Sequence, residues 1–343
     1  MYAQNCWYVV ATSDEIPHGR PICTELAERS LVLYRRGSDG GVVALDNRCA
    51  HRMAPLSEGR IEGDDLRCMY HGVRFGPDGR CNQVPGQDAI PRGFVQQRFA
   101  VVERQNWVWL WLGQPEEADL SMLPDTPGLD SSAWHIRQGQ MTYDADYRLM
   151  NDNLCDLSHV SFVHEASFAQ LVGDELWAQS RPQQIDLPRG VRLDRWMTNS
   201  PVPPDLALPV THGDVFVTYD YLLGGIFRLN SMIFSAGTAE RSGFGEPGDR
   251  DAALTHSCST QAVTPVSPTR LQYRYAAAVR ASEPALRADI FYAVMEQAFV
   301  EDKKMIESQH RMVSRYPDRQ LSATRHDKAA VRFRRLIEQH TAR

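Results

Sequence analysis

Apolar residues in the first third of the chain come in short runs rich in β-branched and aromatic side chains: WYVVA, SLVLYRR, GVVALDN, LRCMYHG, VRF, FAVVERQ and WVWLWLG. Turn sequences such as Ser38-Asp39-Gly40-Gly41 and Pro77-Asp78-Gly79 separate them. This pattern predicts an all-β module over residues 1–112. Pro, Asp and Gly then dominate QPEEADLSMLPDTPGLDSS, which predicts a linker over 113–134. From 135 to 343 the pattern is mixed. It predicts a helix over Tyr147–Phe162, strands at DVFVTYDYL and RLQYRYAAAV, and a long helix from about Pro284 to Val313. The stretches 199–213 and 236–252, dominated by Pro, Gly and charge, read as loops. The expected fold class is α+β, an all-β domain followed by a domain of antiparallel sheet and helices. No internal repeat or low-complexity tract interrupts it.

The chain has 343 residues, enough for two domains with a core each. Its 43% apolar and 23% charged residues are ordinary for a soluble globular protein. A net charge of −6 with no basic tract argues against nucleic acid as a partner. The start, MYAQNCWYVV, carries none of the three parts of a secretory leader, and no apolar run reaches the ~18 residues of a membrane span. Seven cysteines, an odd number without framework spacing, fit a reducing cytoplasm. No partner in a membrane is expected.

Cys49-Ala-His51 and Cys68-Met-Tyr-His71 are the first constellation with chemistry in it. Each supplies one thiolate and one imidazole from a strand-rich segment. Two metal readings compete. A Cys2His2 zinc finger groups both cysteines first and both histidines second, whereas each pair here is mixed. A Rieske [2Fe–2S] centre needs two Cys on one iron and two His on the other, so each of two loops delivers one of each. Cys6, Cys23, Cys81, Cys155 and Cys258 have no such partners and read as small buried hydrophobes.

CAHRMAPLSEG followed by CMYHGVRFGPDGRC resembles the Rieske domain of the Rieske non-haem iron oxygenases, in particular the oxygenase subunits of the O-demethylase type. The likeness continues through WYVVA, VERQNWVWLWLG and DYRLMNDNLCDLSHVSFVH, and fades between about 166 and 250. It implies cluster ligands at Cys49, His51, Cys68 and His71, and a second, helix-grip-type catalytic domain with a mononuclear iron.

DLSHVSFVH, residues 156–164, is the candidate for that second site. His159 and His164 are five apart, a spacing that a regular helix does not bring onto one face, so the helix is expected to break near Val163. Two His and one carboxylate on one face of an Fe(II) leave positions open for dioxygen and substrate. Asp156 is one turn from His159, but Asp302 is the stronger third ligand. Phe291, Met295, Ala298, Met305 and Met312 mark a buried stripe on the last long helix, and Asp302 falls inside it. Glu301 lies roughly 100° round the helix, at the stripe's edge. A carboxylate among Met and Phe costs several kcal/mol unless a metal, an Arg or a backbone group compensates it. The resemblance agrees, placing the third ligand on a late helix at FVEDKK.

For Asp156 the resemblance implies a different role. It would hydrogen-bond a cluster histidine of the adjacent subunit in a head-to-tail homotrimer, forming a bridge from His71 of one subunit through Asp156 of the next to His159. The resemblance also places Asn153 close to the iron. The implied activity is monooxygenation of a small aromatic, with NADH electrons delivered by a separate flavin and ferredoxin-type reductase and O2 as the oxidant. The chain has no dinucleotide fingerprint of its own. O-demethylation of a vanillate-like methoxylated aromatic acid with release of formaldehyde is the leading expectation. Ring hydroxylation, N-dealkylation and methyl hydroxylation are alternatives within the chemistry, and an electron-transfer or binding protein with an inactive iron site is the alternative outside it. In the strand-like LGGIFRLNSMIF and LTHSCST, Asn230 and His256 are the candidate polar contacts to substrate, and Arg228 a candidate partner for a carboxylate.

Overall fold

Strand WVWLWL is buried on both faces, an unusual state for alternating side chains that requires cover above and below. It is β11 (Trp107–Leu112), the centre of a three-stranded sheet between β1 (Cys6–Thr12) and β10 (Val101–Arg104). Trp7 meets Trp111 edge-on at 5.3 Å, and the Trp109 Nε1 donates to the Arg104 carbonyl at 3.1 Å. A second sheet joins β2 (Ile22–Leu26), β3 (Arg29–Arg35), β4 (Val42–Asp46) and β9 (Arg98–Phe99). A third joins β5 (Arg60–Glu62), β6 (Asp65–Arg67), β7 (Arg74–Phe75) and β8 (Cys81–Gln83).

The computed structural model describes residues 2–126, 132–164, 167, 178, 180–202, 206 and 208–341. It divides into two units: Met1–Leu123 with Thr264–Ser267 and His340–Arg343, and Pro124–Val263 with Pro268–Gln339. The division falls inside the stretch read as a linker.

The second unit is built on a seven-stranded sheet. Its strands are β12 (Trp134–Tyr143), β13 (Gln183–Leu187), β14 (Gly190–Pro201), β15 (His212–Leu222), β16 (Ile226–Phe234), β17 (Thr255–Ser267) and β18 (Arg270–Arg280). Their order is β12-β18-β17-β16-β15-β14-β13. Among the described residues, its helices longer than two turns are α1 (Tyr147–Cys155), α2 (Leu286–Arg315) and α3 (Lys328–Gln339). The long helix α2 packs on β12 and β18, and α1 packs against α3. Phe299 fixes the register of α2 on the sheet. Its ring meets Tyr273 and Tyr275 edge-on at 5.0 and 4.8 Å, and its carbonyl accepts from the buried Tyr143 hydroxyl at 2.9 Å. Asp302 sits just under one turn further along the same face.

The α+β expectation holds, with four local corrections. The first helix stops at Cys155, not Phe162. Asp156 leaves the helical region, and its carboxylate caps a new turn by accepting from the Ser158 amide at 2.9 Å. In LRCMYHG only Leu66 and Arg67, the end of β6, are strand, and Gly72 with a positive φ of 76° turns the chain back on itself. The buried stripe of α2 runs through Ala288, Met295, Ala298, Phe299, Asp302 and Ile306, while Met305 and Met312 face solvent. Cys23 is exposed on β2, unlike the other cysteines, because it alternates outward from its half-buried neighbours. No helix among the described residues is long and apolar enough to cross a membrane.

Candidate metal centres

The two Cys–His pairs sit in turns of the same backbone design. In the first, the Met53 amide donates to the Cys49 carbonyl at 2.8 Å and the Cys49 amide to the Ala54 carbonyl at 2.9 Å. In the second, Gly72 donates to Cys68 at 2.9 Å and Cys68 to Val73 at 2.8 Å. Met53 and Gly72, the fifth residue of each turn, both have positive φ, 57° and 76°. The design puts both thiols in the core and both imidazoles at the surface, with ring centroids 4.6 Å apart. Burial, reinforced by the adjacent Cys68 thiol and opposed by the His51 amide, pushes the Cys49 thiol up to about 11. A cluster bound there would have to displace the proton of the Cys49 thiol.

The layout discriminates between the two metal readings. Among the described residues, the group of His, Cys, Asp and Glu whose ligand atoms all lie within 4.8 Å of one another is His159, His164 and Asp302. Cys49, His51, Cys68 and His71 do not close round a point in that way. A thiol pair at one pole and an imidazole pair at the other fit a two-iron cluster and not a single zinc.

The second centre is assembled from α1, the turns that follow it, and α2. His159 ends a 3₁₀ turn, Leu157–His159, and a four-residue helical turn, Val160–Val163, carries the chain to His164. These two breaks bring two histidines five apart onto one side. Both rings are locked by their Nδ1 atoms. His159 Nδ1 donates to the Asp156 carbonyl at 2.5 Å, and His164 Nδ1 donates to Glu301 Oε2 at 3.0 Å. A carbonyl can only accept, so His159 carries its proton on Nδ1. Burial would raise the Glu301 carboxyl, but hydrogen bonds from His164, Ser167 and Gln297 outweigh it and hold the group ionised below its ordinary range. Each Nε2 is left as a lone pair.

Those two lone pairs face Asp302 Oδ1, at 3.6 Å from His159 and 3.4 Å from His164. Asp302 is 2% exposed and His164 3%. Burial raises the Asp302 carboxyl above its ordinary value, against the pull of the two histidines, and lowers His159 below its own. Three electron-pair donors pointed at one another in a dry site repel unless a cation lies between them. Two imidazoles and one oxygen ligand, with no thiolate, suit ferrous iron. Asn153 Nδ2 also donates to Asp302 Oδ1 at 2.9 Å, and lies 3.4 Å from His159 Nε2.

Sequence reasoning missed Glu301. The helical wheel puts it at the stripe's edge, and only the tertiary position of His164, 137 residues away, gives it a role. The expected bridge through Asp156 to His159 also needs correction. The contact to His159 is made by the main-chain carbonyl, and the Asp156 carboxylate caps Ser158.

One cavity of about 310 Å³ opens beside His159, His164 and Asp302. Its walls are largely apolar, with Leu157, Val160, Met197, Val217 and Leu229 on one side and Phe291, Met295 and Phe299 of α2 on the other. From β16 the wall takes Leu229, Ser231 and Ile233, and from β17 it takes Thr255, Ser257, Ser259 and Gln261. Asn230 and His256 therefore lie on the opposite face of the sheet, where the His256 Nε2 donates to Asn230 Oδ1 at 3.1 Å. A one-residue difference in parity removes both from the pocket, since neighbouring strand residues point to opposite faces. Arg228 is on that outer face too, paired with Asp220 at 2.6 Å.

A cluster-type loop pair ahead of a two-histidine, one-aspartate site is the architecture of a Rieske non-haem iron oxygenase. Comparison with known proteins agrees. The Rieske [2Fe-2S] domain matches residues 6–98, and the vanillate O-demethylase oxygenase C-terminal domain matches residues 143–343. The toluene-4-sulfonate monooxygenase system iron-sulfur subunit of Comamonas testosteroni is 34% identical over 93% of this chain and 91% of its own. The vanillate O-demethylase oxygenase subunit of a Pseudomonas species is 31% identical over 98% and 94%. The crystal structure of dicamba monooxygenase bound to 3,6-dichlorosalicylic acid superposes with a TM-score of 0.85 at 26% identity, over 98% of this chain and 96% of that one. The chain belongs to the vanillate O-demethylase family of Rieske oxygenases. It is an oxidoreductase whose cofactors are a Rieske [2Fe–2S] cluster and a mononuclear non-haem iron.

Proposed function

We propose that this chain is the oxygenase component of a multicomponent monooxygenase that O-demethylates a methoxylated aromatic acid. The convergence of His159, His164 and Asp302 on one cavity is the observation that carries the reading. At about 310 Å³ the cavity is at the small end of the ~300–1,000 Å³ range of small-molecule sites, the size for a single-ring substrate. Cys49, His51, Cys68 and His71 would hold the cluster, and His159, His164 and Asp302 would hold the iron. When both are bound, the cluster supplies electrons one at a time and the iron supplies dioxygen activation.

The protein's own residues do the rest. The Asp156 carbonyl and Glu301 keep both Nε2 lone pairs aimed at one point. Asn153 steadies the Asp302 carboxylate. The Val160, Met197 and Val217 wall excludes water and seats the ring. Hydroxylation of an aryl methyl ether gives a hemiacetal, which collapses to a phenol and formaldehyde. NADH electrons arrive through a separate flavin and ferredoxin-type reductase. Head-to-tail trimer assembly would bring the exposed His71 of one subunit to the free oxygen of Asp156 in the next, and the cysteine usage supports a cytoplasmic location.

Relatives named for toluene-4-sulfonate and chloroacetanilide chemistry keep methyl hydroxylation and N-dealkylation as the second reading. Product analysis with a surrogate reductase decides between them. Oxygen uptake with stoichiometric formaldehyde and phenol from methoxybenzoates is expected; hydroxymethyl products from methylated aromatics with no formaldehyde from methoxybenzoates, or no substrate-dependent uptake, would overturn the reading. For the bridge, Asp156→Asn should retain both metals and lose reductase-coupled turnover at least about tenfold. Full coupled turnover in that variant would remove the bridge.

A further inference from the structure

Helix α2 covers a run of tyrosines that neither metal centre uses. Tyr143 of β12 and Tyr273 and Tyr275 of β18 are at most 1% exposed and lie beneath the helix. Their rings follow one another. Tyr143 meets Tyr273 edge-on at 5.8 Å, Tyr273 meets Tyr275 at 5.5 Å, and Tyr275 stacks on Tyr292 of α2 at 6.0 Å. All three separations are those of directly packed rings. The run begins beside Asp302. Within a helix the Phe299 carbonyl accepts from the amide of Lys303, the residue after Asp302. The same carbonyl accepts from the Tyr143 hydroxyl at 2.9 Å, which puts Tyr143 two hydrogen bonds from the Asp302 main chain. Phe299 also lines the cavity, and its ring meets both Tyr273 and Tyr275. The run ends at the surface, where Tyr292 is half-buried and Glu296 exposed.

Packing does not account for the hydroxyls. That of Tyr273 is buried with no hydrogen-bond partner among the described residues, so a phenylalanine would be the more stable choice there. Tyr275 and Tyr292 are placed differently. Both donate to the same oxygen, Oε1 of Glu296, at 3.1 and 2.7 Å. Gly139, opposite Tyr275 in the strand pair, leaves room for them. A Cβ at that position would stand 2.5 Å from the Tyr292 hydroxyl oxygen and 2.7 Å from the Tyr275 ring. A phenol yields an electron readily only when its proton has a base to go to. An ionised carboxylate is such a base and an amide carbonyl is not. Tyr143 and Tyr273 can therefore pass an electron on, while Tyr275 and Tyr292 can give one up and stay oxidised.

We propose that Tyr143, Tyr273, Tyr275 and Tyr292 form an electron-supply line to the iron site, drawn on when dioxygen is reduced there with no substrate bond to attack. Tyr275, Tyr292 and Glu296 are its oxidisable end. Taking dioxygen to two waters needs four electrons and four protons. The reductase supplies two electrons, and the substrate's C–H bond ordinarily supplies the other two. Without substrate, Tyr275 and Tyr292 each send one electron inward through Tyr273 and Tyr143. Each phenolic proton goes to Glu296, which is exposed and releases it to solvent. Two small-molecule thiols in solution then return one electron and one proton to each phenoxyl and join as a disulfide. Oxidation is thereby drawn away from Phe291, Met295 and Phe299 on the cavity wall. The inference rests on iron held by His159, His164 and Asp302 and is independent of the substrate's identity.

The test uses the full-length enzyme carrying both metals, confirmed by metal analysis. It is reduced through a surrogate reductase, given oxygen without substrate, and frozen. Electron paramagnetic resonance should show a tyrosyl radical whose signal narrows in protein grown on ring-deuterated tyrosine and decays faster with added thiol. Glu296→Gln, and Tyr275→Phe combined with Tyr292→Phe, should each cut the radical yield at least about tenfold. Peptide mass spectrometry after the same incubation should find more oxygen added to Phe291, Met295 and Phe299 in these variants than in wild type. Their initial rate with substrate present should be unchanged. No tyrosyl radical in the iron-loaded wild type, an equal yield in the variants, or no rise in wall oxidation would each overturn the proposal, and a radical indifferent to thiol would overturn the return step. Absence of the radical with iron in place leaves the ligand assignment standing, whereas absence of the iron itself sinks both.

Discussion

The two metal centres of this chain solve opposite problems. Cys49, His51, Cys68 and His71, the residues proposed to hold the cluster, come from two short turns, with the thiols buried and the imidazoles at the surface. The residues proposed to hold the iron are drawn together from positions as distant as 159 and 302, and two of the three are almost fully buried. An electron relay has to be reached by its partners, so its ligands sit on exposed turns whose backbone hydrogen bonds are local. An oxygen-activating centre has to be dry and next to a substrate cavity, so its ligands come from the elements that form the cavity wall. The first site can be encoded in one motif, while the second needs a whole domain to exist.

That contrast can be broken by removing one centre at a time. Cys68→Ser should abolish the cluster's visible absorption and all reductase-coupled turnover while one iron per chain remains bound. Asp302→Ala should do the converse, keeping the cluster spectrum and losing the mononuclear iron and substrate-dependent oxygen uptake. Metal analysis with electron paramagnetic resonance reads both variants, and loss of both metals from either one would show that the centres are not independent.

A smaller effect sharpens the idea that the buried centre depends on distant support. Glu301→Gln keeps the shape but gives up the charge that orients His164, and iron affinity measured by chelator competition should fall about 10–100-fold. The cluster spectrum should not change. An unaltered affinity would make Glu301 a bystander.

The smallest effect concerns the face of the sheet away from the cavity. Burial, then the nearby Arg280 and Arg250, push His256 down to about 4. The unfolded chain takes up a proton near 6.5 that the folded chain refuses, so this contribution to stability is complete above pH 6.5. It is lost as pH falls towards 4, at no more than about 1.4 kcal/mol per pH unit. Denaturant melts of His256→Gln against wild type between pH 7 and 4 should show a shallower acid slope in the variant, with kcat/KM at pH 7 little changed. A large loss of substrate affinity would instead put His256 back in the pocket.

Legibility followed the range of the interactions. The Cys–His pairs can be read directly because a turn and its ligands are contiguous. Asp302 can be read because an acid inside an apolar helical stripe demands compensation, although the stripe's exact members, Ile306 in place of Met305, depend on how α2 lies on β12 and β18. Asn230 and His256 fall on the side of the sheet opposite to the expected one because strand parity is decided by pairing and by what covers each face, and both neighbours of Asn230 are cavity residues. Asp156 draws attention for its side chain, yet it is its carbonyl that orients His159.

The sequence alone determined the ligand chemistry, the β-rich first unit, the long helix and the buried acid within it, because periodicity and local spacing are properties of the chain itself. Tertiary structure decided where the first helix breaks, that Glu301 holds His164, and which serines face the cavity. Those outcomes depend on contacts between residues far apart in the chain, and no local pattern carries the position of a partner more than a hundred residues away.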